Sequence, residues 1–154
     1  MHTTSFSDYD IRVDRRLAWD ELFEFDRSRV MQIVMNLIGN AKHAVRDRES
    51  DGGTITVTTT RQGDRVQLRV TDNGIGIGNE SLTKVFAHGY TTKQDGHGFG
   101  LHHSANAATE MGGRLWAESE GPGKGAEFCL ELPIRQAAPA KTANQASLVA
   151  EVAR

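Results

Sequence analysis

The chain has 154 residues, a formal net charge of −2 and a pI near 6.3, which fits one domain without the basic excess of most nucleic-acid-binding modules. Hydrophobic residues make up 38% and charged residues 25%, so a buried core is expected. The single cysteine, Cys129, excludes a disulfide framework. Neither a membrane-spanning run nor a signal-peptide segment is visible, so we expect a cytoplasmic domain without direct membrane contact.

The first quarter of the chain predicts two short strands and one long helix. Residues 1–7 show no periodic pattern and are expected to be disordered or an artificial leader. Alternating apolar residues predict strands at 9–13 and 22–25. Asp26 fits the N-cap of a helix whose apolar face recurs from Val30 to Val45.

A hairpin and a long glycine-rich segment follow. Residues 54–60 and 65–71 alternate around a turn at 62–64, which predicts an antiparallel pair with one buried face. The stretch 73–100 is rich in glycine and holds one short helix at 80–86. A loop of this length inside a compact domain is usually functional.

The remaining elements are one helix and two strands. The helix is predicted over 101–111 and ends at Gly112-Gly113, and the strands are predicted over 114–118 and 126–132. The Ala-rich segment 136–154 is predicted to be a tail or linker. This order predicts an α+β fold, a two-layer sandwich with helices on one face of a mixed, mostly antiparallel sheet.

A polar stripe runs along the predicted long helix, opposite its apolar face. Its members share helical spacing: Gln32, Asn36, Asn40, His43 and Asp47. A solvated helix face is the simpler reading, but asparagine disfavours helices by roughly 0.5–0.7 kcal/mol against alanine. Short neutral amides suit a hydrated Mg²⁺ held against phosphates, because a carboxylate would repel those phosphates.

Three loop segments add candidate binding groups. Asp72-Asn73-Gly74-Ile75-Gly76-Ile77-Gly78 begins where a predicted strand ends, so a fixed carboxylate there can accept a hydrogen bond from an exocyclic amine such as that of adenine. Gly96-His97-Gly98-Phe99-Gly100-Leu101 precedes a helix and exposes backbone N–H groups suited to phosphates. Between them, Phe86–Lys93 carries two threonines and a lysine suited to a lid. An ordinary turn, a flexible linker and an exposed loop are the respective alternatives.

Together these segments resemble the ATP-binding domain of sensor histidine kinases, whose Bergerat-type fold is shared with gyrase, the ninety-kilodalton heat-shock chaperones and the mismatch-repair ATPases. Residues 30–41 resemble the N box, 72–77 the G1 box, 86–93 the F box and 96–101 the G2 box. The four boxes occur in the order of the family. The resemblance covers roughly 8–135, which we take as the domain.

The resemblance implies a role for each matching residue. Asn36 and Asn40 are the implied catalytic residues, with Asn40 as the Mg²⁺ ligand and His43 near the place of a basic residue in relatives. Asp72 would bind the adenine amino group. The other implied contacts to ATP come from the boxes and the lid: Gly74, Gly76, Ile77, Thr92, Lys93, Gly96, Gly98, Phe99, Gly100 and Leu101. Relatives often carry threonine beside the adenine in the last strand, where this chain has Glu127.

The residue types favour phosphoryl transfer over hydrolysis. Hydrolytic relatives carry a glutamate one turn before the metal-binding asparagine, where this chain has Asn36, whose amide cannot act as a general base. None of the six histidines is followed by an acidic residue, as the phosphoacceptor histidine of the family is. The implied partners are therefore a phosphoacceptor histidine helix, in cis or in trans, and a response regulator, with this piece monomeric by itself. An anti-sigma-factor-like serine kinase and a non-catalytic nucleotide-binding module are the alternatives.

Overall fold

A computed structural model describes residues 2–6, 11–17, 23–48, 52–91 and 100–136. Within these ranges the chain forms eight strands and three helices. In chain order they are β1 (His2–Phe6), β2 (Ile11–Leu17), β3 (Phe23–Glu24), α1 (Arg27–Arg46), β4 (Gly53–Gln62), β5 (Arg65–Asp72), α2 (Asn79–Leu82), α3 (Gly100–Glu110), β6 (Arg114–Glu118), β7 (Ala126–Pro133) and β8 (Arg135–Gln136).

Six strands form one mixed sheet in the order β1-β2-β4-β5-β7-β6. Among its described pairs, β2 and β4 run parallel and the other neighbours run antiparallel. The short strands β3 and β8 pair separately, so the segment before α1 lies beside the segment after β7. The predicted mixed, mostly antiparallel sheet is therefore confirmed.

The core lies between this sheet and the helices α1 and α3. Asp26 caps α1 as predicted, since its Oδ1 accepts a hydrogen bond from the Arg29 amide at 3.1 Å. The buried side of α1 packs on inward-facing residues of the strands. The largest fully buried side chains facing this layer are Ile33, Leu37, Ile55, Val70 and Leu130. The predicted α+β sandwich, with helices on one face of the sheet, is confirmed.

Truncating the centre of α1 is expected to cost much stability. Leu37 is 0% exposed, so Leu37→Ala removes about three buried carbons and should lower the free energy of unfolding by about 2–5 kcal/mol. Urea denaturation of the isolated chain measures this. Met35→Ala on the same helix is the matched control, because Met35 is 56% exposed and its truncation should change stability by less than about 0.5 kcal/mol. Equal losses in the two variants would contradict the assigned core.

Several elements differ from the sequence prediction. The first predicted strand, 9–13, is observed over Ile11–Leu17, and the short strand β8 has no predicted counterpart. Residues 1–7 were expected to be disordered, whereas His2–Phe6 forms β1 and pairs with β2 from His2↔Arg15 to Phe6↔Ile11. Backbone pairing at a sheet edge needs no apolar alternation, so the pattern gave no signal. The predicted helix at 80–86 is shorter and is limited to Asn79–Leu82, with turns after it. Residues 137–154, predicted as tail, lie outside the described residues.

None of the described helices combines the length with the apolar character that crossing a bilayer requires.

Candidate functional site

The carboxylate of Asp72 marks the end of β5 on the helix-facing side of the sheet. Asp72 is 6% exposed, and it lies opposite Ile55 of β4 on one side and Ala126 of β7 on the other. The carboxylate Oδ1 accepts a hydrogen bond from the Gly74 amide at 2.8 Å. Burial raises the pKa of Asp72, and backbone N–H groups of Gly74 and Ala126 partly oppose that rise. The carboxylate that the sequence places at this strand end is therefore buried and held by backbone N–H groups.

The loop that follows, residues 72–77, packs directly on the last part of α1. The Ile75 amide donates to the Ala44 carbonyl at 3.0 Å. A Cβ on Gly74 would lie 2.4 Å from the carbonyl carbon of Ala44, closer than atoms can approach. Glycine at this position is therefore required by the contact between loop and helix.

We expect Gly74→Ala to displace the 72–77 loop from α1. The added methyl overlaps backbone atoms of Ala44, which cannot rotate away, so stability should fall by about 1–3 kcal/mol. Thermal unfolding measures the loss. Gly78→Ala is the matched control in the same segment, because a Cβ there meets nothing within 4 Å. A Gly74→Ala chain as stable as Gly78→Ala would show that the loop is not held against α1.

Asn73 fastens the same loop to the beginning of β4. Its side-chain Oδ1 accepts from the Thr54 amide at 2.8 Å, and its Nδ2 donates to the Gly52 carbonyl at 3.1 Å. The Arg48 guanidinium donates to the Asn73 carbonyl at 2.8 Å. Asn73 therefore holds the loop next to Asp72 in place through these three hydrogen bonds. From the sequence alone, Asn73 predicts only a turn, because its contacts with Thr54 and Gly52 join residues about twenty positions apart.

The loop between β6 and β7, residues 119–125, covers the other side of the 72–77 loop. The Gly123 amide donates to the Ile75 carbonyl at 2.6 Å, and the Gly125 amide donates to the Gly74 carbonyl at 3.2 Å. Gly76 has a φ of +72°, and a Cβ on it would lie 2.1 Å from the Gly121 carbonyl oxygen. The 119–125 loop is thus a wall of the site, which the sequence analysis did not predict.

The polar stripe on α1 faces α3 rather than open solvent at its centre. Asn36 is half-buried, and its Nδ2 donates to the buried Ser104 hydroxyl of α3 at 3.1 Å. A Cβ on Gly100 would lie 2.5 Å from Asn36 Oδ1, so the amide occupies the space beside the first residue of α3. The expectation that this stripe lies opposite the packed face is therefore wrong at Asn36. Ser104 was missed because serine within a helix gives no distinctive signal.

Asn40 lies on α1 between the contact with α3 and the contact with the 72–77 loop. It is one turn after Asn36, which contacts α3, and one turn before Ala44, which contacts the 72–77 loop, so the three share a face. Asn40 is half-buried. His43 is exposed, and its Nδ1 lies 2.6 Å from the Gly39 carbonyl oxygen, which makes that nitrogen the protonated donor.

Glu127 faces away from Asp72. Its carboxylate accepts from the Thr71 hydroxyl at 2.8 Å and pairs with the Arg69 guanidinium on the outer face of the sheet. Strand alternation instead places Ala126 beside Asp72. The Glu127 side chain therefore does not face the pocket beside Asp72. On the same outer face, burial raises the pKa of the Cys129 thiol to about 12, so that thiol stays protonated at neutral pH.

Phe86, at the beginning of the segment 86–93 that the sequence predicts as a lid, packs on the core. Phe86 packs edge-on against Phe128 of β7, with ring centroids 6.3 Å apart. The Phe86 carbonyl accepts a hydrogen bond from His102 Nδ1 of α3 at 3.1 Å. Leu101 is half-buried against the core at the start of α3. The predicted contacts Thr92, Lys93, Gly96, Gly98 and Phe99 lie outside the described residues.

Within the described part of the chain, the protein side chains alone do not form a metal-binding site. The described residues contain no group of three or more His, Cys, Asp or Glu side chains that could hold a metal. The oxygen donors near α1 are the neutral amides of Asn36 and Asn40. Such donors fit Mg²⁺ only when a bound ligand supplies further oxygens, as phosphates do.

Comparison with known proteins agrees with this arrangement. Residues 25–136 match the model of the Histidine kinase-, DNA gyrase B-, and HSP90-like ATPase family. The chain belongs to this family, and its relatives place it with the histidine kinase catalytic domains. It is 43% identical over 110 residues to the sensor histidine kinase ZraS of Klebsiella oxytoca, an alignment that covers 71% of this chain and 23% of ZraS.

One further relative and two solved structures support the same family assignment. The sensor protein TorS of Escherichia coli strain K12 is 38% identical over 125 residues, covering 79% of this chain and 13% of TorS. The catalytic domain of histidine kinase ThkA superposes with a TM-score of 0.70 at 30% identity, covering 80% of this chain and 79% of that one. Full-length ShkA in complex with AMPPNP gives a TM-score of 0.72 at 27% identity, covering 83% of this chain and 26% of ShkA. The chain thus spans about a quarter of the length of the ZraS protein it matches.

Proposed function

We propose that this chain binds ATP with Mg²⁺ and transfers the γ-phosphate to a histidine on a dimerisation helix supplied by another segment or chain. The observation that carries the proposal is the buried Asp72 carboxylate, held at a strand end by a loop that three neighbouring elements fix in place. Membership of the family supports it, as does the AMPPNP complex of the similar ShkA.

Asp72 selects adenine in this proposal. An ionised carboxylate accepts a hydrogen bond from the exocyclic amine of adenine, whereas guanine presents a carbonyl oxygen at the same position and is repelled. Gly74, Gly76 and Ile77 line the base from the 72–77 loop. Close contact with the base requires that this loop stay where its neighbours hold it.

We assign the phosphates to the middle of α1, from Asn36 to His43, and to the beginning of α3. We assign the Mg²⁺ contact to the amide oxygen of Asn40, with Asn36 beside it and His43 at the edge. When bound, Mg²⁺ neutralises charge on the phosphate oxygens. The backbone at Gly100 and Leu101, together with Gly96, Gly98 and Phe99, is assigned to phosphate binding, and Thr92 and Lys93 to the lid.

The transfer itself needs an external nucleophile. A neutral imidazole nitrogen of the acceptor histidine attacks the γ-phosphorus, a P–N bond forms, the P–O bond to the β-phosphate breaks, and ADP leaves with the electron pair. Asn36 cannot take a proton from water, and its Nδ2 already donates to Ser104, so hydrolysis is not promoted from this position. The protein contributes orientation and charge neutralisation.

The partners follow from the acceptor. Similarity to sensor histidine kinases supports a phosphoacceptor helix and a response regulator as the proteins that receive the phosphoryl group. We place this domain in the cytoplasm, without nucleic acid or direct membrane contact. We also propose that the chain alone is monomeric, since the proposed dimerisation helix is supplied by another segment or chain.

Calorimetric titration with AMPPNP, with and without Mg²⁺, is the first test. Micromolar binding that depends on Mg²⁺ would support the site. Transfer from radiolabelled ATP to a purified histidine helix of a similar sensor kinase would then support the kinase reaction. Transfer to a serine of a partner protein would instead favour an anti-sigma-factor-like kinase. Absence of binding at millimolar nucleotide would refute the proposal.

A further inference from the structure

We propose that Ser119, on the 119–125 loop, is a positioning residue that sets the selectivity of the site for the base of the nucleotide. Ser119 is half-buried and follows directly after β6. This inference rests on the proposed nucleotide function and concerns a residue with no predicted role in the sequence analysis. It does not require Ser119 to touch the nucleotide.

The Ser119 hydroxyl joins two loops through three short contacts. It accepts from the Ile77 amide at 3.0 Å and from the Gly121 amide at 3.2 Å. It donates to the Gly125 carbonyl at 2.6 Å, while the Gly121 carbonyl lies farther from it at 3.4 Å. One donor and two acceptor positions are therefore all in use, which is the full capacity of a serine hydroxyl.

Both segments joined by this hydroxyl border Asp72. Gly125 lies against the Asp72 backbone, since a Cβ on Gly125 would be 2.1 Å from the Asp72 carbonyl oxygen. Ile77 ends the 72–77 loop, which starts at Asp72 itself. Ser119 thus helps to set the distance between the end of the 72–77 loop at Ile77 and the end of the 119–125 loop at Gly125, which both lie next to Asp72.

The bond to Ile77 is the outermost of the contacts between these loops. The backbone bonds at Gly74 and Ile75 hold the first part of the 72–77 loop. Among the described residues, the Ser119 hydroxyl is the group that fastens Ile77 to the 119–125 loop. Removing it leaves the Ile77 amide and the Gly125 carbonyl without this partner, and Ile77 is then free to move away from the base.

A shift of Ile77 away from the base should affect mainly the selectivity of the site for adenine over guanine. Asp72 distinguishes adenine from guanine only while the base is held with one edge toward the carboxylate. If Ile77 no longer holds the base in that orientation, adenine loses affinity while guanine, already repelled, loses little. The phosphates contact α1 and α3 and are not touched by the change.

The test compares Ser119→Ala with Ser119→Thr, which keeps the hydroxyl, and with Thr109→Ala. Thr109 is the matched control because it is exposed and its hydroxyl bonds to the Ala105 carbonyl within α3. Dissociation constants are measured for AMPPNP, GMPPNP and inorganic tripolyphosphate with Mg²⁺, below the unfolding transition. Amide hydrogen exchange at Ile77 is measured on the same proteins.

Ser119→Ala should raise the dissociation constant for AMPPNP about 5- to 30-fold, the range expected for about 1–2 kcal/mol. The constants for GMPPNP and tripolyphosphate should stay within about twofold, and the Ile77 amide should exchange faster. Ser119→Thr and Thr109→Ala should resemble the wild type. An equal rise for AMPPNP and tripolyphosphate, or an unchanged selectivity, would overturn the inference. A wild-type chain that binds no nucleotide would instead refute the proposed function.

Discussion

Replacing Asp72 with asparagine is expected to weaken ATP binding by about 1.5–3 kcal/mol, roughly 10- to 150-fold in dissociation constant. The substitution keeps the shape of the side chain but removes the charge that accepts from the adenine amine. An amide rotated to satisfy the Gly74 amide would turn its own NH₂ group toward that amine. Calorimetry with AMPPNP measures the loss, and an unchanged dissociation constant would refute the adenine role.

The same substitution should stabilise the unliganded protein. Burial raises the pKa of Asp72 above its ordinary value of 3.8, so the native state holds the proton more tightly than the unfolded state. Stability therefore falls as pH rises from about 3.8 through the raised pKa, and at neutral pH the ionised carboxylate lowers stability. Asp72→Asn removes this cost. The melting temperature at pH 7 should rise and this part of the pH dependence should vanish, whereas a lower melting temperature would contradict the burial argument.

Asn40→Ala is expected to remove the Mg²⁺ dependence of ATP binding and to abolish phosphoryl transfer. The alanine has no oxygen donor for the cation, which then binds to the nucleotide without a ligand from α1. Asn40→Asp should also abolish transfer, since its charge lies close to the phosphates. Titration of AMPPNP with and without Mg²⁺, and transfer to a supplied histidine helix, measure the two effects.

Gln32→Ala is the matched control for Asn40. Gln32 belongs to the same polar stripe, two turns earlier on α1, and is exposed. Its truncation should leave both binding and transfer near the wild-type values. Normal Mg²⁺-dependent transfer by Asn40→Ala would show that the cation takes its protein ligand elsewhere.

The sequence predicts a helix or strand of this fold where the spacing of apolar residues within that element is regular. The apolar face of α1, its cap at Asp26 and the alternation in β4 and β5 follow from spacing alone, and the structure confirms them. The pairing of β1 with β2 and of β3 with β8 was not predictable. These short pairs depend on backbone hydrogen bonds between segments whose position is set by the rest of the sheet.

The site was predictable to the extent that single residue types are unusual for their positions. A carboxylate after an apolar strand and asparagines within a helix point to Asp72 and Asn36. Ser119 gave no such signal, because serine after a strand is common and its contact with Ile77 spans 42 residues. The apolar alternation of residues 126–132 already places Glu127 on the outer face, whereas the position of Ala126 beside Asp72 depends on strand register, which is not visible in a motif.

The pair formed by β3 and β8 lies at the end of the sheet opposite the Asp72 carboxylate. This pair lies near the β4–β5 turn, where the Ile134 amide donates to the Asp64 carbonyl at 2.7 Å. Asp72 lies at the opposite end of β5, roughly 23 Å away for an eight-residue strand. The segments β3 and β8 are therefore anchored at the end of the sheet opposite Asp72, so a force applied through them acts about one strand length from that carboxylate.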